Sequence, residues 1–216
     1  MDKIRLFCFP CAGGSSLMFT NWWKYLKQDI ILCPVELAGR GKRFGSSLYK
    51  CIQEAIDDIF YAINSDLDKN RYAFFGHSMG CLLAYELIYK IRETKHREPE
   101  YLFLAAQEAP HIIRKNNVSL HQLPINIFKN EIIKLGGIPK EVYENEELFD
   151  MFIPILKADY KMAESYQYIP NRGKLNSLIT TLHGTSDNIK LEHIQIWSEL
   201  TNRETETYSF KGGHFF

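Results

Sequence analysis

Apolar positions along this chain follow two rhythms. Short apolar runs rich in β-branched and aromatic residues mark KIRLFCF (3–9), IILCPVEL (30–37), YAFFG (72–76), YLFLAA (101–106), SLITTLHG (177–184) and ETETYSF (204–210) as strands. Between them a helical rhythm predicts helices at SLMFTNWWKYL (16–26), after Ser78, and at LEHIQIWSEL (191–200). The clearest helix is the run in which Leu48, Cys51, Ile52, Ala55, Ile56, Ile59, Phe60 and Ile63 recur at three- and four-residue steps and lay down one apolar stripe. Such a stripe needs a flat apolar surface to cover. Strands separated by helices imply crossover connections and a parallel sheet covered on both faces, so the predicted class is α/β.

From about Ala109 to Tyr168 the rhythm changes. LPINIFKNEIIKLGGIP and EELFDMFIPILKADYKMAESYQY are helical in period with no strand between them, which predicts a helical subdomain inserted into the strand–helix alternation. Length adds little to this picture: 216 residues, 45% of them hydrophobic, suit a single domain, 1–216, with a real core. Charge excludes more. With 26 basic and 26 acidic residues the chain has no net pull toward nucleic acid or anionic membrane. No apolar stretch reaches the length of a membrane helix, and MDKIRLFCFPC enters a strand without the apolar run of a secretory signal, so a cytoplasmic protein is expected. Five scattered cysteines fit reduced, buried thiols. Cys8 and Cys11 form a CxxC, but no second Cys or His pair at ligand spacing accompanies it, so a core residue and a turn residue are expected rather than a metal or redox site.

The chemistry concentrates in FFGHSMGCLLAYELIYKI (74–91). Gly-x-Ser-x-Gly between a strand and a helix is the pattern of a nucleophile elbow, a strained turn that lifts the serine hydroxyl above the sheet edge. Ser78 is the candidate nucleophile, and the N–H of Met79, at the positive end of the helix, is a candidate oxyanion donor. A serine nucleophile needs a base, and the imidazole needs an acid that fixes its tautomer. Asp187 in LHGTSDNI follows a strand directly; His214 in SFKGGHFF follows the last strand after two glycines. The bland alternatives are an N-cap for a helix starting near Lys190 and a histidine in an aromatic loop. His183 is expected to pack in its strand, His77 to orient the turn, and His96, His111, His121 and His193 are poorer bases. The second oxyanion donor is expected from FPCAGGSS (9–16), at Ala12 or its neighbour Cys11. That loop lacks both the Gly-Lys-Ser/Thr ending of a P-loop and the GxGxxG spacing of a dinucleotide site.

FCFPCAGGSS, ELAGRGKRF, FFGHSMG, KLGGIP, PILKADYKMAESY and FKGGHFF, in this order, resemble the type II thioesterases of non-ribosomal peptide and polyketide synthesis, a branch of the α/β hydrolases. The resemblance spans nearly the whole chain. It implies an α/β-hydrolase fold with a mostly parallel sheet, an acyl-serine intermediate on Ser78, and Asp187 and His214 completing a Ser-His-Asp triad. Residues 110–170 would be a helical lid over the acyl chamber. The implied reaction is hydrolysis of acyl groups from the phosphopantetheine arm of an acyl or peptidyl carrier protein, for editing or release, by a monomer that needs no metal or organic cofactor. Two departures stand out. Asn188 and Lys190 replace the proline and small apolar residue that usually follow the acid, and the family usually continues past GGHFF, so the loop carrying His214 is expected to lack packing on one side. The same triad would also serve an acyltransferase, a medium-chain fatty acyl thioesterase or an oxygen-ester esterase, and a non-catalytic binding module is the remaining class. GRGKR (39–43) and KIRETKHR (90–97) are expected to be solvated charged surface, with contact to an acidic carrier as the alternative.

Overall fold

Among the described residues six strands all run the same way. The computed structural model describes residues 3–112 and 119–216. Its strands are β1 (Ile4–Phe9), β2 (Ile30–Pro34), β3 (Arg71–His77), β4 (Tyr101–Ala105), β5 (Leu178–Gly184) and β6 (Thr205–Phe210). They pair in the order β2-β1-β3-β4-β5-β6, and every neighbouring pair is parallel. All strand C-termini therefore share one edge, where loops from distant parts of the chain meet.

Period-two alternation decides which side chains face which layer. Phe7, Phe9, Tyr72 and Phe74 point into the larger core with α1 (Ile52–Leu67) and α2 (Met79–Glu93). Leu6, Cys8, Ala73 and Phe75 face the other way, under Phe19 and Trp22. Edge-to-face contacts lock both layers, Phe9 on Phe74 at 5.0 Å and Trp22 on Phe75 at 4.7 Å. The stripe of α1 is buried at Ala55, Ile56, Ile59, Ile63 and Leu67. The helix starts later than the periodicity indicates. Leu48 and Cys51 precede it, Cys51 is exposed, and the Lys50 N–H donates to Glu54 at 2.8 Å to close the first turn.

The helix expected over 16–26 is two short 3₁₀ turns, Ser16–Phe19 and Trp22–Lys24. Phe19 is buried and Trp22 and Leu26 are half-buried against the sheet, while Leu17, Trp23 and Tyr25 are exposed, so the segment buries too little side-chain surface to hold a longer helix. Local bonds also compete: Ser15 Oγ accepts from the Leu17 N–H, and Thr20 Oγ1 donates to the Leu17 carbonyl.

Between β4 and β5 lie α3 (Ile125–Leu135), α4 (Lys140–Tyr143) and α5 (Glu146–Glu164), around a core of their own built from Phe128, Ile132, Phe149, Ile153 and Leu156. Part of the expected 110–170 insertion, residues 113–118, lies outside the described residues. The short helix α6 (Leu191–Gln195) and a 3₁₀ turn (Ile196–Leu200) pack against β5. Among the described residues no helix is long and apolar enough to cross a membrane.

Candidate active site

Ser78 sits between the end of β3 and the first residue of α2, with φ 54° and ψ −119°. A non-glycine residue there stores on the order of 1–3 kcal/mol of strain. The surrounding backbone holds it: the Ser78 N–H donates to the Ala105 carbonyl at 2.8 Å, and the Ser78 carbonyl accepts from the Cys81 N–H at 2.8 Å. A methyl group at Gly76 would lie 2.6 Å from the Cys81 nitrogen, and one at Gly80 would collide with the Phe9 carbonyl. The two glycines let β3, α2 and the end of β1 converge around the serine.

The loops after β5 and β6 are zipped together. The Thr185 N–H donates to the Phe210 carbonyl and the Ser186 N–H to the Gly212 carbonyl, both at 2.8 Å. This pairing brings His214 Nδ1 to 3.0 Å from Asp187 Oδ2, with the Asp187 side chain only 4% exposed. Burial pushes the Asp187 carboxyl up, but the His214 hydrogen bond and charge, with backbone N–H groups of Ile189 and Asn188, outweigh it and hold it below the usual carboxylate range. A carboxylate acceptor puts the proton on Nδ1, leaving Nε2 as the basic nitrogen. Asp187 does not cap the following helix: α6 begins beyond it, with Lys190 at the cap position.

His77 anchors this loop from below. Its Nε2–H donates to the His214 carbonyl at 3.0 Å, and its ring stacks on Phe215 at 5.0 Å. Phe215 lies against Gly137 of the insertion, and Phe216 stacks on Phe210, so the loop is packed on these sides while both phenylalanines remain partly exposed. Asp187 and His214 are thus in direct contact, and Ser78 follows His77 at the same strand edge. Among the described residues no hydrogen bond joins the Ser78 hydroxyl to the His214 ring.

After β1, the Gly14 N–H donates to the Cys11 carbonyl at 3.0 Å and closes a turn with Ala12 and Gly13 at its centre. Gly13 has φ 73°, the left-handed value that the third residue of a type II turn requires. Among the described residues neither the Ala12 nor the Met79 N–H donates to a protein group. Cys11, the neighbouring alternative, is buried with its thiol against Met18 Sδ, and desolvation first, then Asp159, pushes that thiol up to about 12. The Cys8 thiol is likewise buried and pushed up by desolvation. Among the described residues no group of three His, Cys, Asp or Glu side chains is placed to hold a metal ion.

The thioesterase domain family matches residues 4–216. This chain belongs to the thioesterase family. It is 34% identical to a Brevibacillus parabrevis protein named linear gramicidin dehydrogenase LgrE, over 99% of this chain and 82% of that one. It is 31% identical to the medium-chain S-acyl fatty acid synthase thioesterase of Rattus norvegicus, over 98% of this chain and 81% of that one. Among solved structures it resembles ClbQ from the colibactin non-ribosomal peptide and polyketide pathway, with a TM-score of 0.94, 36% identity, and coverage of 99% of this chain and 90% of that one.

The thioesterase also corrects several residue-level expectations. GRGKR is not simply charged surface. Arg40 is buried against Asp159, and Arg43 forms a bidentate pair with Asp58 at 2.5 and 2.9 Å. KIRETKHR is largely paired within the chain, through Lys90–Asp57, Arg92–Glu98 and His96–Asp68. His183 does more than pack in β5: its Nε2–H donates to the Ile189 carbonyl at 3.1 Å and braces the loop that carries Asp187. His121 pairs with Glu164, His111 with Glu199 and His193 with Glu108. Sequence reasoning missed Arg40 and Asp159 as supports of the turn after β1, and Glu36, which accepts from the Ser16 N–H and hydroxyl just beyond it. A signal existed for Asp159, because it lies on the buried stripe of α5 with Ile155, Leu156 and Met162, where a carboxylate needs a partner. A cleft of about 490 Å³ lined by Arg97, Glu98, Glu100 and Arg203 opens at the opposite edge of the sheet, away from Ser78.

Proposed function

We propose that the enzyme hydrolyses acyl thioesters carried on the phosphopantetheine arm of acyl or peptidyl carrier proteins, as a type II thioesterase serving non-ribosomal peptide or polyketide synthesis. The observation that carries the mechanism is the Asp187–His214 hydrogen bond beside an elbow that strains Ser78. His214 Nε2 takes the proton of Ser78 Oγ as the oxygen attacks the thioester carbonyl. Asp187 keeps the proton on Nδ1 and stabilises the imidazolium. The N–H groups of Met79 and Ala12 receive the oxyanion, each worth about 3 kcal/mol if well aimed. The C–S bond breaks, and His214 returns the proton to the leaving thiolate. Water, deprotonated by the same nitrogen, then hydrolyses the acyl-serine ester. Helices α3 to α5 act as the lid over the acyl chain, consistent with their separate apolar core and their contacts with both catalytic loops.

The likeness to the rat enzyme supports a second substrate reading, medium-chain fatty acyl thioesters. The dehydrogenase in one relative's name finds no echo in the loop after β1, because CAGGSS lacks the GxGxxG spacing. The deciding experiment measures hydrolysis of acyl carrier protein, acyl pantetheine and oxygen-ester substrates by the native chain and by Ser78→Ala, with fluorophosphonate labelling alongside. Native hydrolysis fastest on the carrier thioester, with labelling and turnover both lost in Ser78→Ala, is expected. Equal turnover by Ser78→Ala would overturn the mechanism, preference for free medium-chain thioesters would favour the second reading, and transfer only to an added alcohol or amine would indicate an acyltransferase.

A further inference from the structure

The turn that presents the Ala12 N–H is gripped from both sides by an ion pair 119 residues apart in sequence. Arg40 and Asp159 form a bidentate bridge, Nη1 to Oδ2 at 2.5 Å and Nη2 to Oδ1 at 2.8 Å, with both side chains only 3% exposed. Each charge also holds a peptide group of the turn. Asp159 Oδ2 accepts from the Gly13 N–H at 2.8 Å, and Arg40 Nη1 donates to the Gly14 carbonyl at 3.1 Å. Arg40 Nε spans back to the Ala38 carbonyl at 3.2 Å, fixing the guanidinium plane. Leu156, one turn before Asp159 on α5, lies over Gly13 where a side chain would otherwise be.

Stability alone does not account for this arrangement. Burying two charges incurs a desolvation penalty that a well-packed apolar pair avoids, and such replacements are often neutral or stabilising. What an apolar pair cannot do is hold one N–H and one carbonyl of a glycine-rich turn in a fixed orientation.

We propose that Arg40 and Asp159 are positioning residues for the oxyanion turn, aiming the Ala12 N–H and fastening that turn to α5 of the helical insertion. This rests on the hydrolytic function above. Because Asp159 rides on α5, the turn and that helix are held as one unit.

The test uses Asp159→Asn and the apolar double variant Arg40→Met/Asp159→Leu in the full chain. Hydrolysis of a medium-chain acyl pantetheine thioester is measured with thermal unfolding and with the affinity of an acyl trifluoromethyl ketone, whose adduct needs the oxyanion donors. A lost oxyanion donor is worth about 10²–10³ in kcat, and a loosened one is expected to give about 10- to 100-fold, with KM within about twofold. The ketone should weaken in parallel while the double variant unfolds no earlier than the native chain. A double variant that is folded and keeps native kcat and ketone affinity would overturn the proposal. Hydrogen exchange at the Gly13 amide of the native chain tests it without any variant. Protection like that of β1 is expected, and exchange at the rate of an open loop would refute it even if both variants fail to fold. Absence of Ser78-dependent hydrolysis in the native chain would instead remove the functional reading and leave the Gly13 result to judge the grip itself.

Discussion

At the scale of single residues, the proposed mechanism depends on which atom holds which proton. Asp187 accepts from His214 Nδ1 and stays ionised because that bond and two backbone N–H groups outweigh its burial. Asp187→Asn would remove the charge and could present an amide N–H to Nδ1, favouring the tautomer that has no basic nitrogen facing the serine. A fall in kcat on the order of 10⁴-fold with little change in KM is expected from steady-state kinetics on an acyl thioester, and a loss of less than about tenfold would mean another group orients the ring. Candidates at this scale were legible because each sits in a distinctive local pattern: a glycine-bracketed serine, an aspartate just past a strand, and a histidine after two glycines. His183 was not legible in its bracing role, since a histidine in an apolar strand gives no sign that its ring will meet the carbonyl of Ile189.

At the scale of elements, the elbow shows how little room the chemistry leaves. A Cβ at Gly80 meets the carbonyl of Phe9, the last residue of β1, from which the turn proposed to hold the oxyanion begins. Gly80→Ala should therefore lower stability by about 1–3 kcal/mol and depress kcat more than KM; unfolding in urea together with kinetics checks it, and an unchanged midpoint would show that the strand end gives way freely. The segment between β1 and β2 makes a contrasting case. Its apolar letters fit a helix, yet only Phe19 is fully buried, with Trp22 and Leu26 half-buried beside it. Phe19→Ala should cost roughly 3–5 kcal/mol and Trp23→Ala, at a residue 66% exposed, less than about 0.5 kcal/mol. Comparable losses for the two in denaturant titrations would contradict the two-turn description. Strands were read well because their buried runs are dense and bounded; this segment was misread because composition does not say which apolar side chains find a surface.

At the scale of the whole molecule, His77 joins β3 to the far end of the chain through the His214 carbonyl. Burial first, and the neighbouring His214 ring second, push His77 down to about 4 from 6.5. Between those values the unfolded chain binds a proton that the folded chain refuses, so stability is full above pH 6.5 and falls as the pH drops through the window, by about 2 kcal/mol at pH 5. His77→Gln keeps a donor for the His214 carbonyl but does not titrate. The loss on going from pH 7 to pH 5 should shrink by about 2 kcal/mol in urea unfolding, and an unchanged loss would place the acid sensitivity elsewhere.

The pattern of apolar positions was enough to determine an α/β sheet, the interruption by helices after β4, and the candidate residues at three strand ends, because burial periodicity and turn chemistry act over a few residues and are written locally. The tertiary structure decided the rest: that Arg40 turns inward to Asp159, that His77 and Phe215 lock the last loop, that Asp159 holds the turn after β1 and that Glu36 holds Ser16 beyond it. These bonds link residues up to 146 positions apart, and a charge's partner across that distance exists only once the parallel strands have brought their ends to one edge.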